Sequence, residues 1–207
     1  MLTWSKPNAI VPDEPLRWIL ATLRFYAIVA SVGIALAFAV ISILALAPAV
    51  FHPNYADETT DFGVPPQKDL RADDRRVTQT PTTIPGAHVI GTSDLYAAIQ
   101  RDSLDGSPFV MVDALSYTHP NTIRGAKRIP LGGASGNFDD ENQQRLRAQL
   151  MLLTKNKLAM PIVLFCGGAT YWESYNASLR AEKMGFTRVY WYRGGLASWL
   201  EAGMPMN

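Results

Sequence analysis

A single cysteine, Cys166, serves a chain of 207 residues. An intrachain disulfide is therefore excluded, and so is any site that takes two thiolates from one chain. Neither charge sign is in excess: 19 Lys and Arg stand against 18 Asp and Glu, leaving +1. No basic stripe interleaved with aromatics runs through the sequence, so nucleic acid is not an expected partner. Histidine is scarce as well, with His52, His88 and His119 widely scattered. None of the three is spaced from another, or from Cys166, as metal ligands are, and no metal or other cofactor is implied. What is plentiful is apolar content, 48% of the chain, which suits a globular domain with something added.

The addition is a stretch from which charge is missing. Between Phe25 and Val50 the only ionisable group is Tyr26. Roughly 20 apolar residues cross a bilayer core as a helix, so this run is long enough with some tilt. It divides the chain into a cytoplasmic segment 1–17, a transmembrane signal anchor 18–51, a linker 52–86 and a domain 87–207. Lys6, Arg17 and Arg24 precede the run and Asp57, Glu58 and Asp61 follow it. That asymmetry predicts a single-pass protein of the inner (cytoplasmic) membrane with its domain on the periplasmic side. The alternative is a signal peptide cleaved at Ala45-Leu46-Ala47, although the run exceeds the usual hydrophobic region of about 7–15 residues. The linker is rich in proline and mixed charge and has no period of 2 or 3.6. It reads as an extended tether, either passive or a strap that binds a partner.

Residues 87–207 alternate strand-like and helix-like segments, the pattern of an α/β domain with a parallel sheet flanked by helices. Strands are predicted at His88–Ile90, Phe109–Asp113, Pro161–Cys166 and Arg188–Tyr192. Thr92 or Ser93 is the expected cap of a helix through Leu95, Ala98 and Ile99. Asp139-Asp140 opens an amphipathic helix with Leu146, Leu150 and Leu153 on its apolar stripe. Ser174 opens another that Gly185 ends, and a short last helix carries Trp199.

Cys166 ends the third of these strands, and Gly167, Gly168, Ala169, Thr170, Tyr171, Trp172 and Glu173 form the loop that leads to the next helix. Such a turn aims backbone N–H groups and the positive helix end at the strand tip, the means by which a thiol is kept as a reactive thiolate. The plainer reading is a small buried hydrophobe at a strand end. Asp113 ends the neighbouring strand and reads as a structural hydrogen-bonding group. Arg124, Lys127 and Arg193 are the cations with a chance of reaching the loop mouth, and Arg180 reads as a surface or interdomain ion-pair partner.

Taken in order, Phe109–Asp113, Thr122–Pro130, Val163–Cys166, Gly185-Phe186 and Gly194-Gly195 with Trp199, Ala202-Gly203 and Pro205 resemble the rhodanese-like family, over about Ala87 to Pro205. The resemblance implies one rhodanese module with Cys166 as the sulfur-carrying nucleophile. The loop after Cys166 is about two residues longer than the usual sulfurtransferase loop, however, and holds no Arg or Lys. Glu173 stands where many relatives carry a cation. Tyr171 through Ala177, with Arg180-Ala181, is similar to a periplasmic subgroup linked to quinoprotein dehydrogenase pathways, in which a second cysteine would replace Tyr171. The resemblance implies persulfide transfer with a protein sulfur donor or acceptor, thiosulfate being disfavoured by Glu173. The other implied function is a catalytically inactive interaction domain, an accessory subunit of a membrane or periplasmic redox complex. Whether the protein is an enzyme stays open between these two.

Overall fold

The computed structural model describes residue 23, residues 54–71 and residues 77–207. The apolar run Phe25–Val50, the cleavage site weighed within it and the Asp73-Asp74/Arg75-Arg76 cluster lie outside the described residues. Among those described, no helix is long and apolar enough to cross a membrane.

Short apolar runs bounded by turns form β1 (His88–Val89), β2 (Val110–Asp113), β3 (Lys127–Arg128), β4 (Ile162–Phe165) and β5 (Val189–Tyr192). They make one sheet in the order β1-β5-β4-β2-β3, and every pairing is parallel. Parallel strands need crossovers, and helices α1 (Thr92–Arg101), α2 (Glu141–Leu153), α3 (Glu173–Lys183) and α4 (Gly195–Glu201) lie along them in the sequence. Side chains of β4 alternate between two cores. Val163 and Phe165 pack with Leu95, Ala98, Leu196 and Trp199 of α1 and α4. Ile162 and Leu164 pack with Leu146, Leu150, Ala177 and Ala181 of α2 and α3. Because all strands run the same way, the loops that follow β2, β4 and β5 gather at one end of the sheet, where Cys166 lies.

Boundaries differ from expectation at two helix starts. Asp140 caps α2 as predicted, its carboxylate accepting the Gln143 N–H at 2.7 Å. Helix α1, by contrast, has Gly91 at its N-cap, and Thr92 is already helical. Its cap comes from a distance: Glu58 accepts the Thr92 N–H at 3.1 Å and the Thr92 hydroxyl at 2.6 Å. Helix α3 begins at Glu173, one residue before Ser174.

The segment expected to be an extended tether is, where described, bound along the domain. Tyr55, Leu70, Thr80 and Ile84 are buried. Leu70 and Ile84 join Trp172, Tyr175, Leu179 and Trp191 in a third apolar cluster. Backbone bonds do the rest: Thr78 and Thr80 donate to the Thr170 and Ala169 carbonyls at 2.8 and 3.1 Å. Isolated apolar anchors and backbone pairing leave no period in a sequence, which is why this strap reads as a linker.

Candidate functional site around Cys166

Cys166 lies one residue past β4 and is fully buried, at 0% exposure. Its Sγ is 2.9 Å from the Ser174 hydroxyl, accepts the Ser174 N–H at 3.3 Å, and lies 3.5 Å from the Tyr171 carbonyl. The carbonyls from Cys166 to Thr170, unlike that of Tyr171, are occupied elsewhere. Those of Cys166 and Gly167 accept the Leu196 and Ala197 N–H groups at 2.9 and 3.0 Å, and that of Gly168 accepts the Tyr171 N–H at 3.0 Å. The carbonyls of Ala169 and Thr170 are bonded to the strap, and the amides that act on Sγ are those of Ser174 and Gly168. The Tyr171 ring lies against Gly167, so close that a Cβ there would sit 2.8 Å from it.

The electrostatics run against the expected thiolate. Burial pushes the Cys166 thiol up to about 11, opposed by the Ser174 hydroxyl and amide and the Gly168 amide and reinforced by the Glu173 charge. At neutral pH the protonated thiol therefore dominates. Burial without a cation thus outweighs the amides, and the S–H is left to donate to the Tyr171 carbonyl. Glu173 is itself buried and takes a hydrogen bond from the Ser116 hydroxyl. Tyr117, half-exposed beside it, has its phenol pushed up to about 12, chiefly by a hydrogen bond with Tyr171 and then by burial and the Tyr171, Glu173 and Cys166 charges.

The model of the rhodanese-like domain family matches residues 69–202. The chain belongs to this family. No curated protein matches it significantly. Solved structures similar to it include the rhodanese-like domain of an Anabaena sp. protein, at 20% identity over 57% of this chain and 76% of that one, TM-score 0.43. A yeast protein tyrosine phosphatase of the rhodanese family is similar at 16% identity over 56% and 86%, TM-score 0.46. Thiosulfate sulfurtransferase from Pseudomonas aeruginosa is similar at 18% identity over 58% of this chain and 20% of that one, TM-score 0.43.

Within this rhodanese-like domain the candidate residues separate. Cys166, Gly167, Gly168, Ala169, Thr170, Tyr171 and Glu173 form one cradle. Trp172 turns away to the strap, its indole N–H donating to the Gln79 carbonyl at 3.1 Å and its ring lying under Arg71 at 4.4 Å. Asp113 is buried and structural: its carboxylate accepts the Leu115 N–H at 3.1 Å and the Thr122 hydroxyl at 2.6 Å, with His119 Nε2 at 2.7 Å. His119, unassigned by sequence, is therefore part of the turn after β2. Five irregular residues separate it from Asp113, so no period announces it.

The candidate cations do not reach the thiol. Arg124 and Lys127 line a cavity of about 230 Å³ with Phe109 and Val110, at the N-terminal end of β2 and so at the opposite end of the sheet. Arg193 is on the correct end but is consumed by the strap. At 1% exposure it donates to the carbonyls of Asp57, Glu58 and Thr80 at 3.0, 2.7 and 3.0 Å, and to the Thr80 hydroxyl at 3.1 Å. Burial lowers its pKa against the neighbouring acids. Arg180, expected in a surface or interdomain ion pair, does pair with Asp140, at 2.7 Å, but is 0% exposed and also bonded to the Ala134 and Asn137 carbonyls.

Proposed function

We propose that this protein carries sulfane sulfur as a persulfide on Cys166, taking it from a neutral or protein-bound persulfide and not from thiosulfate. The observation that carries this reading is the donor set on Sγ: the Ser174 amide and hydroxyl with the Gly168 amide, and no cation in the loop. In the transfer the Cys166 thiolate attacks the outer sulfur of the donor persulfide. The donor's S–S bond breaks as a new one forms at Sγ, the outer sulfur keeps its proton, and the donor departs as a thiolate. Nothing is oxidised or reduced overall. The departing thiolate then takes up the persulfide proton, and the Ser174 and Gly168 amides hold the persulfide anion. A thiosulfate dianion would meet Glu173 in a poorly screened setting, and a phosphate would lack the arginine that clamps it.

The second reading, a non-catalytic interaction domain, is favoured by the complete burial of Cys166 and its raised pKa. In both readings the apolar run Phe25–Val50 serves as a single-pass anchor in the inner membrane, with the domain periplasmic. A protein sulfur donor or acceptor, or a redox complex, is the partner in the first and second readings respectively. The two separate in a thiocyanate assay on the full chain, given cyanide with either thiosulfate or a small organic persulfide. Turnover from the persulfide that vanishes in Cys166→Ser supports sulfur transfer. Silence with both donors, or equal turnover by the serine variant, refutes it.

A further inference from the structure

We propose that Trp191 is a positioning residue for the Cys166 thiol, acting through the Ser174 hydroxyl; this rests on Cys166 being the reacting group. The indole N–H of Trp191 lies 3.0 Å from Ser174 Oγ, which lies 2.9 Å from Cys166 Sγ. All three residues are buried. An indole N–H only donates, whereas a hydroxyl has one hydrogen and two lone pairs. Trp191 therefore occupies an acceptor site on Ser174, and the serine's single hydrogen is left for Sγ.

Trp191 cannot easily turn aside. It sits in β5, paired with Leu164 of β4, and the Tyr175 ring meets it edge-on at 5.1 Å and 88°. Its loss frees the Ser174 hydrogen to swing to another acceptor, leaving Sγ with the Ser174 and Gly168 amides. The groups that face Cys166 stay in place: the Glu173 charge from α3, which opposes its ionisation, the Tyr171 carbonyl from the loop, and the neutral Tyr117 phenol from the turn after β2. The indole is thus a neutral substitute for the missing loop cation. It polarises the donor to sulfur without adding a charge that would attract an anionic sulfur source.

The single cysteine makes the test direct, because carbon-13 cysteine labels one residue. The Cys166 Cβ shift is titrated in the full chain with Trp191, with Trp191→Phe, and with Trp191 replaced by benzothienylalanine, which keeps the shape and lacks the N–H. Each is repeated in a Ser174→Ala background. Loss of the indole N–H is expected to raise the midpoint by about one unit, a tenfold drop in thiolate at about pH 10. In the Ser174→Ala background the same replacement is expected to do nothing further. An unchanged midpoint with benzothienylalanine, or an equal shift in both backgrounds, overturns the proposal. The titration needs no sulfur donor, so its failure is separate from that of the sulfur-transfer reading.

Discussion

Arg193→Met tests how the strap is held. Arg193 joins three stretches of chain, because it bonds the carbonyls of Asp57, Glu58 and Thr80 while the Thr80 hydroxyl donates onward to the Ala169 carbonyl at 2.6 Å. Hydrogen bonds to a charged donor contribute about 1.5–3 kcal/mol each. Two effects reduce the sum of four: burial already opposes the guanidinium charge, and carbonyls freed with the strap regain water. A net loss of about 3 kcal/mol, the lower end for breaking a buried charged network, is the working figure. It falls on local opening of the strap, so the Thr78 and Thr80 amides should exchange with deuterium about 150-fold faster. Amides of β4 and β5 should be almost unaffected. Arg193→Lys keeps the charge but not the planar fork, and should fall between. Unchanged protection at Thr78 and Thr80 would refute the reasoning, as would loss of protection throughout the sheet, which would make Arg193 a support of the core.

Gly133→Ala should be among the more damaging small substitutions, since the new Cβ would lie 1.7 Å from the Glu173 carbonyl oxygen. Overpacking of that kind costs about 1–3 kcal/mol, read as a lowered denaturation midpoint in urea. Asp140→Asn keeps an N-cap but leaves Arg180 buried without its anion, at a cost of about 3 kcal/mol. Burial raises the Asp140 pKa, but the Arg180 bond and the Gln143 and Asn137 amides outweigh it and leave the group low. The wild type should therefore lose this stabilisation as pH falls below about 4, while Asp140→Asn shows a flatter acid limb in urea titrations. Glu58 runs the other way. Burial raises its pKa against the Thr92 bonds, with Asp94 adding to the rise. Its contribution to stability is fully present below about pH 4.3 and declines as pH rises through the folded value. Glu58→Gln should remove that slope, and parallel stability–pH curves for the two proteins would contradict the assignment.

The sheet was legible because its strands carry their own signal. Val110–Asp113, Ile162–Phe165 and Val189–Tyr192 are short apolar runs between turns, and Asp140 and Gly185 mark helix ends locally. Cys166 was legible for the same reason: strand, glycines and helix lie within a few residues. What sequence could not convey are bonds between distant groups that share no period. The Ser174 hydrogen is directed by Trp191, Glu58 caps a helix that begins at Thr92, and Arg193 reaches back to Asp57. Arg124 shows the converse, since proximity to a family-like segment suggested the mouth while the register of parallel strands places it at the far end. Amide donors around Cys166 are visible in a Gly-rich loop, whereas the depth at which a fold buries the thiol, which raises its pKa, is not.

The central claim is that Cys166 accepts sulfur from a persulfide and refuses thiosulfate. Intact-mass measurement of the full chain after brief exposure to each donor tests it most directly. One added sulfur atom from the persulfide, removable by cyanide, absent in Cys166→Ser and absent with thiosulfate, is the predicted result. Equal loading from thiosulfate, or no loading of Cys166 from either donor, would contradict it.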